Sequence, residues 1–478
     1  MTYSDPAVIK ARSAAATCAH SAAATALLLI TAAVGVGCSP ESQTKPDPAP
    51  RPNFVLIVID TLRADHLSFA GDRKNVLPAF GRLWSESIYF PNARSTSSWT
   101  LPATASLFVS QVPSQHGATA WASPLGKEHT TVVETLREAG YRTGGWSANH
   151  LIREERGFSR GFDSFELVTH PQWKFGTPPQ SPYAFALAQD LTAKALAWLE
   201  ETAAASGDDP FFIYLHFMEP HTPYLCPPGA GDACRSAAMD LNRHLASTFW
   251  NFDSEQASLI NKFYDGDIRR MDSGLDHFYT AFEEVGFLEN TWLIVTADHG
   301  EMLGEHDLYI HGNALYEETL RIPLFIRPPN PRKTSSTTPV SLIDIAPTIL
   351  DVAGIEPPAA FEGRSLRPAL EGRRLDPRPI VAELLPLRGK AGKHYRHILS
   401  VTSGSTKLVL GIDGTLERFD LSEDPSEGVP LPAEMSDLEA YLSQAGVEFR
   451  HLEGLSKEVA EPSLEALEHL KALGYVHE

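Results

Sequence analysis

FVLIVID, from Phe54 to Asp60, is the stretch that decides the fold. An unbroken apolar run of strand length, closed by an acid, is the pattern of a parallel strand buried on both faces. The pattern returns in GYRTGGWSA (140–148), FFIYLHFM (211–218) and TWLIVTAD (291–298). Between these runs lie helical stretches: SPYAFALAQDLTAKALAWLEETAAA (181–205) and the segment from Glu255 to Gly286. Strands alternating with helices predict a doubly wound α/β sheet. Ligands of such sheets bind beyond the carboxyl ends of the strands, where Asp60 and Asp298 both fall.

PVSLIDIAPTILDVAGI (339–355) reads as one last helix of a large domain spanning 52–377. The texture changes from about Arg378. HYRHILSVT, TKLVLGI and GTLERFDL read as short antiparallel strands, followed by a polar, helical tail. Residues 378–478 are thus expected to form a smaller subdomain. The 478 residues suffice for this arrangement, and no internal repeat is visible. A net charge of −20 argues against a nucleic-acid partner, which calls for a basic face. Otherwise it is a solubility feature.

Residues 1–38 read as an export leader. Lys10 and Arg12 precede the apolar run ALLLITAAVGVG (Ala26–Gly37), which ends at Cys38. The run is short for a membrane span. GVGC resembles a bacterial lipoprotein box, so lipidation at Cys38 is the expectation, with ordinary secretion or an uncleaved anchor as alternatives. Residues 39–51, rich in Pro and polar side chains, form a tether. The protein is therefore expected in the bacterial cell envelope, periplasmic or on the outer surface, meeting the membrane only through that anchor. Cys226 and Cys234 flank a short Pro/Gly-rich loop. In an oxidising compartment they form a local disulfide or remain two loop thiols.

Four segments carry chemistry: IDTLRADHL with Asp60, WTLPATASLF with Thr100, HFMEPHTPY with His216 and His221, and TADHGEMLGEHDLYIHGNALYEE with Asp298, His299, His306 and His311. Singly, an acid at a strand end can be a helix cap, and a histidine in PHTP can serve the backbone. Adjacent Asp and His at a strand end suit a metal with mixed oxygen and nitrogen ligands.

Taken in order, these segments resemble the sulfatase family of the alkaline-phosphatase-like superfamily. The resemblance runs from about Asn53 to the C-terminus and includes GYRTGGWSANHLIREERGFSRGFDSFE, LYEETLRIPLFIR and LKALGYV. It implies an α/β fold: a large mixed, mostly parallel sheet flanked by helices, with a small C-terminal antiparallel subdomain. It also implies a divalent cation held by Asp60, Thr100, Asp298 and His299. His221 and His311 match positions that contact the sulfate or phosphate and help the leaving group depart. Asn149 could donate to an ester oxygen or simply shape a turn. His216 and His306 are expected to be structural or to support the ligands.

Three positions depart from the family pattern. Thr100 stands where sulfatases carry the Cys or Ser converted to formylglycine, and its extra methyl blocks that oxidation. Thr104 replaces the arginine that supports the aldehyde. Thr61 replaces a second metal-binding aspartate. Together they resemble the single-metal site of threonine-using phosphotransferases and phosphodiesterases, so Thr100 is read as the metal-bound nucleophile. The expected function is hydrolysis of a sulfate or phosphate ester, small-molecule, glycan or lipid, with phosphodiester or phosphonate chemistry preferred. Calcium is the cation implied by resemblance, with manganese, zinc or magnesium open. The competing readings are a catalytically inactive lipoprotein that binds anionic glycans or lipids, and a true sulfatase using unmodified Thr100. The loop from Pro227 to Asn251 and the C-terminal subdomain are expected to shape the pocket.

Overall fold

The computed structural model describes residues 51–67, 77–119, 123–170, 185–206, 209–227, 229–245, 252–385 and 397–446. The leader, Cys38, the tether up to residue 50 and the tail beyond 446 lie outside them.

Eight strands form the main sheet: β1 (Asn53–Ile59), β2 (Ile88–Tyr89), β3 (Arg142–Ser147), β4 (Ser164–Leu167), β5 (Phe211–Phe217), β6 (Thr291–Ala297), β7 (Leu324–Arg327) and β8 (Thr334–Ser335). Their order is β8-β2-β7-β6-β1-β5-β3-β4. The five strands from β6 to β4 run parallel, and β7 is antiparallel to both neighbours. The apolar run at Phe54 is central β1, and every residue from Phe54 to Ile59 is buried. Its continuous hydrophobicity follows from helices covering both faces of the sheet.

The helices used below are α1 (Pro78–Glu86), α2 (Thr100–Val109), α3 (Ala188–Ser206), α4 (Asp232–Leu245), α5 (Ser254–Val285), α6 (Ile345–Ala353) and α7 (Met435–Ala445). Asp253 caps α5 through a reciprocal pair with Gln256, and Gly286 closes it with φ 85°. Leu77 precedes α1 and has no capping side chain, so Asp272 of α5 accepts the Ala79 and Phe80 N–H groups instead.

Three local expectations need correction. The last helix begins at Ile345, not Pro339: Val340–Ser341 is a short strand and Leu342–Asp344 a 3-10 turn. Ser341 takes the capping role there, its N–H donating to Asp344. The described part of the α3 region turns helical only at Ala188, where Asp190 accepts the Leu187 N–H. The segment 227–251 is no simple loop, because α4 occupies much of it, tethered by a Cys226–Cys234 disulfide with Cα atoms 6.1 Å apart.

The C-terminal antiparallel sheet comprises β9 (Ile380–Glu383), β10 (His397–Ser403), β11 (Thr406–Gly411) and β12 (Leu416–Asp420), followed by α7. A buried charge cluster joins it to the main body. Lys407 of β11 lies 3.1 Å from Glu317 and 2.8 Å from Glu427, and Arg94 holds the other side of Glu317 at 2.8 Å.

Candidate active site

Strand register builds the site. Val58 pairs with His216 on one side and Thr296 on the other. Paired residues of a parallel sheet share a face, as do residues two apart along a strand. Asp60, Asp298 and His216 therefore emerge on one face at the carboxyl edge of three adjacent strands. All three are fully buried, and one donor atom from each lies within 4.8 Å of the others.

The turn after β1 is strained. Thr61 has φ 57°, a left-handed conformation that costs a β-branched residue about 1–2 kcal/mol. Its N–H donates to Asp298 Oδ1 at 3.3 Å, and its carbonyl accepts the Tyr264 hydroxyl at 2.6 Å. Beyond β6, Gly300 has no alternative: a Cβ there would lie 2.0 Å from the Glu318 carbonyl oxygen. This close approach explains the glycine of DHGE.

Thr100 opens α2, where the partial positive charge of the helix N-terminus favours an anion. Pro102 costs nothing in this first turn, since its N–H would have no helical partner. Thr100 Oγ1 is 3.2 Å from His299 Nε2. His299 Nδ1 donates to the Gly300 carbonyl at 2.8 Å, so the neutral ring offers its lone pair at Nε2. His221 likewise donates through Nδ1 to the Thr222 carbonyl. His311 Nδ1 is 2.8 Å from Glu301 Oε1, and its ring lies 4.5 Å from His299 and 4.9 Å from His221.

Burial and crowded titratable groups set the electrostatics of this enclosure. Burial, with the neighbouring Asp60, pushes Asp298 well above the usual carboxylate range. Burial also opposes charge on Asp60, but His221, His216 and His299 outweigh it and hold Asp60 below that range. Burial drives His299 well below its ordinary value, lowers His311 to about 4, lowers His221 and raises Glu301 to about 8. Asp60 Oδ1 and Asp298 Oδ2 have no hydrogen-bond partner among the described residues. Buried carboxylate oxygens left so are costly unless a cation satisfies them. His299 Nε2 stands 3.8 Å from Asp60 Oδ1 and 3.6 Å from Asp298 Oδ2. Donors at about 2.1–2.4 Å from one divalent ion sit roughly 3.0–3.9 Å apart at right to tetrahedral angles. The donor set thus fits a divalent metal.

Asn149, expected to donate to an ester oxygen or to shape a turn, sits against Asp60. Its Nδ2 donates one hydrogen to Asp60 Oδ2 at 2.6 Å and its Oδ1 accepts the Leu151 N–H at 2.7 Å, which leaves the second Nδ2 hydrogen for another acceptor. His306 stays outside the cluster, stacked on Tyr316 at 3.7 Å. Thr104, one turn beyond Thr100, is buried with its hydroxyl lacking a hydrogen-bond partner among the described residues. Two further residues emerge from the structure. Glu301 backs His311, and Arg63 fastens the same loop through the Glu301 carbonyl at 3.1 Å and Glu305 at 2.7 Å. Both lie inside the motifs quoted above, but only the folded chain shows their burial and partners.

Family and fold likeness place this site among known proteins. The family model "Sulfatase" matches residues 52–355, and "N-sulphoglucosamine sulphohydrolase, C-terminal" matches 304–439. The chain belongs to the sulfatase family, and is a sulfatase-like hydrolase of sulfuric or phosphoric esters. Among its relatives, an N-acetylglucosamine-6-O-sulfatase of Bacteroides thetaiotaomicron is 25% identical, covering 68% of this chain and 72% of its own. A multifunctional alkaline phosphatase superfamily protein of Trinickia caryophylli is 28% identical, covering 68% and 78%. The crystal structure of a phosphonate monoester hydrolase of Agrobacterium radiobacter superposes with a TM-score of 0.65 at 22% identity, covering 83% and 94%.

Proposed function

We propose that this protein hydrolyses a phosphodiester or phosphonate ester with Thr100 as its nucleophile, one divalent cation being held by Asp60, Asp298, His299 and Thr100. The observation that carries the reading is the buried Thr100 hydroxyl at a helix N-terminus, 3.2 Å from a His299 Nε2 that itself lies 3.8 Å and 3.6 Å from carboxylate oxygens of Asp60 and Asp298 without hydrogen-bond partners among the described residues. When bound, the cation neutralises charge on the transferring group and lowers the pKa of the hydroxyl.

The chain's own residues do the rest. Asn149 and the Thr61 N–H orient the two carboxylates. The His299 tautomer, locked by the Gly300 carbonyl, keeps Nε2 available as a donor atom. Thr100 loses its proton to solvent water and Oγ1 bonds to phosphorus, while the bond from phosphorus to the leaving alcohol breaks. Glu301, raised to about 8, is protonated and donates to His311 Nδ1, so Nε2 carries the hydrogen; His311 delivers it to the departing oxygen as the Glu301 proton passes to Nδ1. His221 contacts the non-bridging oxygens. Water then cleaves the phospho-threonine ester and restores the hydroxyl. A threonine sulfate lacks the easy exit of a formylglycine hemiacetal sulfate, which favours phosphorus over sulfur.

The named substrates of the relatives, a sulfated N-acetylglucosamine and a phosphonate monoester, support an anionic ester of glycan or small-molecule type. The Cys226–Cys234 disulfide supports export, in line with lipid anchoring at Cys38. The test compares aryl phosphodiester and aryl sulfate hydrolysis by residues 39–478 across several divalent cations, with Thr100→Ala as control. Metal-dependent phosphodiester cleavage lost in the variant supports the reading. Absence of turnover with every cation returns the protein to the binding role.

A further inference from the structure

The proposed ligand set leaves one buried donor unused. His216 sits in β5, a strand otherwise made of aromatic and aliphatic residues, and is fully buried. Its Nε2 is 3.4 Å from Asp60 Oδ2 and 3.9 Å from Asp298 Oδ2. Its Nδ1 is fixed by the Tyr214 hydroxyl at 2.7 Å. Tyr214 lies two residues earlier on the same strand face, so the ring is oriented from behind. A metal-binding histidine is held in this way: with Nδ1–H donating to the Tyr214 oxygen, Nε2 keeps its lone pair toward the two acids.

An imidazolium bridging the two acids is the simpler reading. It fails on one count: it leaves Asp60 Oδ1 and Asp298 Oδ2 buried with no hydrogen bond. An ion among the three side chains satisfies both oxygens and the Nε2 lone pair together. The 3.9 Å separation is too long for a hydrogen bond and the 3.4 Å one stands at the far limit of one, whereas both fall within the span of donor pairs around a single ion.

We infer that His216 Nε2 is a ligand of the same cation, making the centre one of two imidazoles, two carboxylates and a hydroxyl. The inference rests on the metal-dependent reading above. Its consequence is metal choice: two nitrogens favour manganese, zinc or another first-row transition ion over calcium, which prefers all-oxygen shells.

The test uses the full chain purified without chelator, then stripped and reloaded with Mn(II). Pulsed EPR on protein labelled with 15N-histidine counts the imidazoles on the ion in wild type and in His216→Gln, and titration measures Mn(II) affinity. Two imidazoles in wild type, one in the variant and an affinity loss of roughly 10–100-fold are expected. A single imidazole in wild type overturns the inference, as does unchanged affinity in the variant. If the variant does not fold, the wild-type count decides alone. Wild type that holds no divalent cation overturns the metal-dependent reading itself, a failure distinct from a one-imidazole centre.

Discussion

Lys407→Met should loosen the C-terminal sheet from the catalytic body, by an amount that depends on pH. Lys407 is fully buried, and its ammonium touches Glu317 at 3.1 Å and Glu427 at 2.8 Å. Against burial, Arg94 and Lys407 hold the Glu317 carboxyl below its ordinary value. Glu427 has less help, and burial already pushes it up. Methionine keeps the apolar stem but removes the charge, leaving Glu427 without its cation. The folded protein can then do no worse than protonate Glu427. Protonating a carboxyl of ordinary pKa at pH 7 costs about 4 kcal/mol, which caps the loss and agrees with about 3–5 kcal/mol for breaking buried pairs. The sign follows from linkage. The variant's folded Glu427 binds a proton that the unfolded chain has lost, so its stability falls as pH rises above the unfolded pKa of about 4.3. The deficit should therefore shrink by about 1.4 kcal/mol per pH unit on acidification, to about 1 kcal/mol at pH 5. Urea denaturation of wild type and variant at pH 5, 6 and 7 measures this. A deficit below about 1 kcal/mol at pH 7, or one that ignores pH, would refute the reasoning.

Other perturbations probe other parts. Gly300→Ala drives a methyl into the Glu318 backbone carbonyl, and should cost about 2–3 kcal/mol and lower metal content; wild-type values of both in a urea melt and metal assay would contradict the close approach. Asp298→Ala removes one of the two carboxylates proposed to hold the cation, so metal and activity should vanish together, and metal analysis showing full occupancy would oppose that role. Reducing Cys226–Cys234, which closes a short loop, should cost about 2.5 kcal/mol; an unmoved denaturation midpoint under reductant would show the crosslink absent in solution.

The centre of the fold was legible because β1, β5 and β6 are near-continuous apolar runs of strand length separated by helical stretches. Register was less visible. Asp60 and Asp298 stand at recognisable strand ends, but that His216 shares their face follows only from its pairing with Val58. The commitment of Asn149 to Asp60 is a contact across 89 residues that no local pattern encodes. The helix expected from Pro339 starts late because Val340 and Ser341 join a small sheet with Ala93 and Arg94, a tertiary preference that overrides the apolar periodicity. Helix α4 was obscured by the Pro/Gly-rich entry to its segment.

The most direct measurement follows the fate of Thr100 itself. An aryl phosphodiester is turned over by metal-loaded protein, the reaction is quenched in acid, and the peptide containing Thr100 is analysed by mass spectrometry. A phosphoryl group on Thr100, formed and lost at rates compatible with turnover and absent from Asp298→Ala, is the result predicted. Turnover that proceeds with Thr100 unmodified throughout, or that survives Thr100→Ala, would contradict the account.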